Sequence, residues 1–318
     1  MISRIGRRVG RRYTRTLRKL LRATFPFWER LGVHIVPNDY EQPIPDSRAL
    51  LQRLWTRRSD MVGVNVREED QLQLLSFFSS RYKQEYDAFP RERPASGHQY
   101  FIGNASFDAV DGEILYCMIR HFKPRRIVEI GSGCSTYCSA QACLTNEEQE
   151  ARPCELVAVD PYPRPVVSRG FPGLSRLMAV PVEQVPLSYF DELGENDILF
   201  IDSSHVLRIG NDVQYLYLEV LPRLNPGVIV HVHDVFLPAE YPKDWIMRKR
   251  QFWTEQYLLQ AFLAFNRGFE VLWSGSYMHL KHPDKLRSAF ASYQHNGNYP
   301  GSFWMRRTAS TPPKPPAP

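Results

Sequence analysis

The chain predicts an α/β fold: a doubly wound, mostly parallel seven-stranded sheet with an N-terminal helical extension. Three observations carry that expectation. The stretch Arg125 to Thr136, RRIVEIGSGCST, runs from short apolar sequence into a Gly-x-Gly turn and then into helix-compatible sequence. β-branched residues before such a turn read as a buried parallel strand. Apolar runs ending in a carboxylate recur at 155–160 (ELVAVD), 197–202 (DILFID) and 227–234 (GVIVHVHD), with stretches of helical period between them. Two late runs, 269–273 and 302–306, close the sheet as a hairpin-like pair with one strand antiparallel.

Composition narrows the class. The 318 residues are 43% hydrophobic and 23% charged, ordinary for a globular protein whose core needs no disulfide staples. The five cysteines, at 117, 134, 138, 143 and 154, include no C-x-x-C pair, so zinc ribbons and dithiol redox chemistry find no support. Cys134 and Cys138 read as small buried or helix-face residues. An odd count without a signal peptide points to a reducing compartment and a cytoplasmic location. No run of 18 apolar residues is present. Met1 to Trp28 holds nine Lys/Arg and no acid, and removing those nine from a net charge of +6 leaves −3. The basicity is therefore terminal and does not mark the core as a nucleic-acid binder.

Taken in order, Met1 to Arg30 places Ile2, Ile5, Val9, Tyr13, Leu17 and Leu20 or Leu21 at three- to four-residue spacing, with arginines between. That is a basic amphipathic helix interrupted by Gly6 and Gly10. It fits a flexible terminus, a peripheral contact with an anionic membrane surface such as the inner membrane, or an Arg-rich targeting segment. The Pro-rich connection 37–46 leads to helices over 47–57 and 68–87, forming an N-terminal helical region over 31–100. The catalytic-type domain is expected over 101–306. Tyr100, Asn104, Phe107 and Tyr116, around a helix over 111–122, are either pocket-lining or packing residues. A helix follows the glycine turn over 135–145. The second strand ends at Asp160, and the third, 177–182, precedes Glu183 and Gln184. Helices are expected over 211–221 and 250–265. The Pro-rich tail, 307–318, reads as disordered.

Ligands of an open α/β sheet bind beyond the carboxyl ends of its strands. Those ends carry Glu129 with Gly131, Asp160, Glu183, Asp202, and His233 with Asp234. Glycines let the backbone turn sharply and let a ligand approach it, and the next helix's free N–H groups face that ligand. A dinucleotide is one candidate, although Thr136 stands where its fingerprint has a third glycine. An acid at the end of the second strand, here Asp160, suits ribose hydroxyls. Its spacing from Gly131 exceeds the usual ~20 positions, and the polar insert NEEQEARPCE takes up the excess.

The motif Glu129-x-Gly131-x-Gly133 resembles the first motif of class I S-adenosylmethionine (SAM) methyltransferases, a Rossmann-like family. The resemblance implies that Glu129 helps hold the cationic end of SAM. Gly131, Gly133, Ser135, Asp160, Glu183 and Ser203 then complete the donor site. Asp202-x-x-His205 is similar to the D-x-x-H of metal-dependent sugar (macrolide) O-methyltransferases, in which the acid binds metal and the histidine is the base. Those enzymes end the fifth strand in two acids, and here His233 replaces the first. The resemblance implies Asp202, His233 and Asp234 as ligands of Mg²⁺ or another divalent ion, with His205 and His233 as catalytic bases. His231 and His233 share one face of their strand, and Asp234 is free to turn only if the strand has ended. Trp245, Trp253, Glu255 and Tyr257 are lid, wall or packing residues. The function implied is O-methylation of a hydroxyl on a small polar molecule such as a sugar. A dinucleotide oxidoreductase, an oxygenase-like relative and a non-catalytic membrane-peripheral protein are the alternatives.

Overall fold

The computed structural model describes residues 2–38, 41–297 and 299–309, with side chains from residue 16 onward. Of the expected tail, 307–318, residues 310–318 lie outside the described residues, while Arg307 ends the strand Phe303–Arg307; the side chains of Ile2, Ile5, Val9 and Tyr13 also lie outside them. Two compact units are present, residues 1–56 with 242–252, and residues 57–241 with 253–318. The expected N-terminal helical region, 31–100, is divided between the two units. Residues 57–100 are part of the larger unit, because the helix Glu68–Arg81 buries Gln71, Leu75 and Phe78.

The larger unit is built on seven strands: β1 (Arg126–Ile130), β2 (Glu155–Val159), β3 (Arg176–Met178), β4 (Ile198–Ile201), β5 (Ile229–Val232), β6 (Phe269–Ser274) and β7 (Phe303–Arg307). Their order is β3-β2-β1-β4-β5-β7-β6, with β7 antiparallel to both its neighbours. This is the doubly wound, mostly parallel sheet expected. Side chains alternate across it. Ile127 joins one core cluster, and Val128 and Ile130 join the other. These side chains are at most 4% exposed, and each contributes about 1.5–3 kcal/mol by burial.

The helix Asp111–Phe122 forms where expected, and Lys123 ends it in left-handed backbone before Pro124. Other boundaries move. The helix after the glycine turn runs Cys134–Glu150, and the third strand stops at Met178. The helix expected over 47–57 is only a tight turn, Gln52–Trp55. The one expected over 250–265 is Glu255–Leu263. The expected helix 211–221 is one α-turn, Asp212–Tyr215, followed by wider and tighter turns that end at Pro222 and Arg223. Between β6 and β7 the sequence reading missed two helices, Gly275–Lys281 and Pro283–Ala289. The pair is therefore no simple hairpin.

The smaller unit contains the helix Ile2–Arg30, the turn Gln52–Trp55 and the short helix Lys243–Met247. No helix among the described residues is long and apolar enough to cross a membrane.

Candidate functional site

Strand order reverses between β1 and β4, which opens a crevice at their carboxyl ends. A cleft of about 400 Å³ occupies it, lined by Gly131, Asp160, Glu183, Asp202 and Ser203 among others. That is within the size range of small-molecule sites. Gly131 makes the crevice possible. Its φ is +87°, and a Cβ there would overlap the backbone oxygen of Asp202. The elbow is pinned by Gly131 N–H to Val159 O and Asp202 N–H to Ile130 O, both 2.9 Å.

Beneath the elbow, Glu129 is fully buried on β1. Its Oε1 accepts hydrogen bonds from Ser135 Oγ, at 2.5 Å, and Thr136 Oγ1, at 3.1 Å, while Oε2 has no partner among the described residues. Burial pushes the carboxyl up to about 8, against the pull of the two hydroxyls. Glu129 and Ser135 therefore buttress the turn from below. Glu129 does not line the cleft, where the resemblance sets it against the cationic end of the donor. Asp160, just past β2, lines the cleft and accepts from Ser132 Oγ and from Tyr162 N–H, the latter at 2.8 Å.

At the other end of the crevice stands a cluster that the sequence only partly outlined. His205 Nδ1 is 2.9 Å from Glu255 Oε2. Its Nε2 lies 3.2 Å from Asp202 Oδ1 and 3.6 Å from Asp234 Oδ2. Asp202, His205 and Asp234 each offer a ligand atom, all within 4.8 Å of one another. Ser203 Oγ also donates to Glu255, at 3.1 Å, and Trp253 packs on the His205 ring at 4.4 Å. Burial disfavours charge on His205, but the hydrogen bonds and charges of Asp202 and Glu255 outweigh it and raise its pKa well above the usual value. Asp202 is held low despite burial, by its bond to His205 and by nearby His233. Burial raises Asp234.

Two expectations change here. His205 is no free base, since Nδ1 faces Glu255 and Nε2 faces Asp202 and Asp234. His233 is outside the ligand group, with Nε2 3.8 Å from Asp234 Oδ1 and its ring 4.7 Å from Phe107. His231 and His233 share a face as expected, with rings 5.6 Å apart. β5 ends at Val232, and Asp234 turns out of the strand at φ +55°.

Tyr100, Asn104, Phe107 and Tyr116 do not line the cleft. Tyr100 OH donates to Phe107 O at 2.9 Å, Asn104 closes the 101–107 loop, and Tyr116 OH donates to Glu85 at 2.8 Å. Sequence reasoning missed Tyr162, Arg208, Asn211 and Asp212 on the cleft wall. It saw Glu255 only as a lid or packing residue, because an acid in the first turn of a helix carries no functional signal of its own.

Sheet order, glycine elbow and acid-lined crevice define a class I methyltransferase fold. A family model described as a methyltransferase domain matches residues 128–235, from β1 to just past β5. An uncharacterised protein of Archaeoglobus fulgidus is 31% identical over 177 residues, covering 53% of this chain and 77% of that one. By that family model, residues 128–235 are marked as a methyltransferase domain. Among solved structures, CmcI with Mg and SAM is 17% identical, covering 64% of this chain and 73% of its own, with a TM-score of 0.34. The plantazolicin methyltransferase BamL, with a triazolic desmethylPZN analog and SAH, is 14% identical, covering 76% and 96%, with a TM-score of 0.36. Likeness at that level carries no weight for the site.

Proposed function

We propose that this methyltransferase O-methylates a hydroxyl of a small polar acceptor such as a sugar, with a divalent cation held by Asp202, His205 and Asp234. The observation that carries the reading is the crevice itself, a nucleoside-sized cleft on the glycine elbow that ends at a carboxylate–histidine cluster. Bound SAM supplies an electrophilic methyl group on sulfur. Gly131 lets the donor lie against the backbone, Asp160 accepts from its ribose hydroxyls, and Glu183 and Ser203 flank it.

The cluster fits a cation on charge grounds. Asp202, Asp234 and Glu255 surround one imidazole, so even with His205 protonated the group carries −2, a demand for positive charge at the edge of the cleft. Glu255 accepts the hydrogen bond of Nδ1–H and leaves an unprotonated Nε2 facing the two aspartates, the usual carboxylate–histidine support of a metal ligand. One nitrogen and two oxygens suit Mn²⁺, Fe²⁺ or Zn²⁺ at least as well as Mg²⁺. A bound cation lowers the pKa of an acceptor hydroxyl. His233 is then the imidazole left to take the acceptor's proton, at Nε2, as the acceptor oxygen bonds the methyl carbon and the carbon–sulfur bond breaks.

Calorimetry with S-adenosylhomocysteine, on chelator-treated protein with and without Mn²⁺ or Mg²⁺, tests both halves. Binding of the nucleoside and a metal affinity lost in Asp202→Asn are expected. NAD binding in its place, or metal affinity indifferent to Asp202, overturns the corresponding half.

A further inference from the structure

The helix Ile2–Arg30 takes no part in the crevice chemistry, yet its described half has a marked surface. Leu17, Leu20 and Phe27 are 43%, 58% and 58% exposed. At 100° per residue they fall within a stripe about 80° wide. Leu31, just past the helix, is 61% exposed. Lys19 and Arg22 are exposed off that stripe, and Met1 to Trp28 holds nine Lys/Arg and no acid.

We infer that this helix lies on an anionic lipid bilayer, its Leu17–Leu20–Phe27 stripe in the acyl–headgroup boundary and its basic face on the lipid phosphates. Two features select that occupant. Apolar side chains left in water along one helix face recover free energy only against another apolar phase. A run of basic residues free of acids supplies the charge complement to an anionic headgroup layer, about 1 kcal/mol for each one near the surface. A nucleic acid would use the charge but leave the apolar stripe in water. Both features together are those of an interfacial helix.

Vesicle co-sedimentation of the full chain tests the inference, comparing phosphatidylcholine alone with phosphatidylcholine mixed with phosphatidylglycerol. Binding only to the mixed vesicles, weakened by salt, is expected. Leu20→Gln/Phe27→Gln should weaken it about tenfold or more by loss of apolar contact. Lys19→Glu/Arg22→Glu should do the same through charge. All four side chains are exposed, so circular dichroism should show the helix content and melting temperature unchanged. If the chain ignores the mixed vesicles, the inference is wrong. It is equally wrong if the apolar variant binds them as tightly as the parent while a DNA or RNA duplex competes the protein off, since the helix would then serve nucleic acid.

Discussion

Gly131→Ala tests the elbow on which the donor site is built. At φ +87° an alanine sits in left-handed backbone, which costs about 1–2 kcal/mol for an L-residue. The new Cβ also overlaps the backbone oxygen of Asp202. That oxygen cannot retreat freely, because Asp202 N–H is tied to Ile130 O at 2.9 Å and Gly131 N–H to Val159 O at the same distance. The end of β4 must move away from β1, and relief of such an overlap costs a further ~1–3 kcal/mol. The expected destabilisation is thus about 2–5 kcal/mol, read as a shift of the urea midpoint at unchanged slope. The shift moves Asp202, so donor and cation sites should both suffer, with S-adenosylhomocysteine affinity falling at least about tenfold at a temperature where the variant is still folded. A variant with the parent's urea midpoint that binds the nucleoside equally well would show that the elbow is neither tight nor a donor surface.

Glu129 has a folded pKa of about 8 against 4.5 unfolded, so its contribution is fully stabilising below pH 4.5 and is lost as pH rises through 8. Glu129→Gln abolishes that dependence, and its stability relative to the parent should climb across this window by up to roughly 5 kcal/mol, at ~1.4 kcal/mol per unit. Equal parent–variant differences in urea midpoint at both ends of the window would refute a buried neutral carboxyl. Asp160→Ala should weaken S-adenosylhomocysteine binding about 10–100-fold while Mn²⁺ titrations stay unchanged. Glu255→Ala should weaken Mn²⁺ binding about 10–100-fold, and Glu255→Gln, which keeps an acceptor oxygen, by less. Equal affinity in parent and Glu255→Ala would remove its role in orienting His205.

The sheet was legible because its strands are continuous apolar runs and its glycine turn is local. Asp160 and Asp202 were legible for the same reason, since a carboxylate directly after a buried run can only lie at the sheet's rim. Helix ends were read less well where tertiary contacts decide them. Residues 47–57 have helical spacing but bury nothing along the turn Gln52–Trp55, so periodicity there has no core to act on. The place of His205 beside the aspartates, with His233 outside that group, was beyond the sequence for a different reason. Strand alternation does send His233 to the Phe107 side with His231, but what brings His205 to the aspartates is Glu255, from a helix far along the chain.

Backbone strain explains why that cluster stays together. His205 and Asp234 both hold left-handed φ, +59° and +55°, a conformation costing a non-glycine residue about 1–2 kcal/mol. An extended residue 234 would keep the alternation of β5 and carry its carboxylate away from His205. The left-handed turn reverses it toward the imidazole instead, with room made by Gly301, where a Cβ would sit only 3.1 Å from the Asp234 Cα. His205 is held from its other side by its own carbonyl, which accepts from Thr254 and Glu255 N–H at 2.9 and 3.1 Å, so the segment that supplies the Glu255 carboxylate also fixes the backbone of the ring it orients. Two strained residues and three mutually repelling carboxylates are costly to maintain in a folded protein. Their convergence on one imidazole is accounted for if a cation returns that energy on binding, which is the physical content of the metal reading.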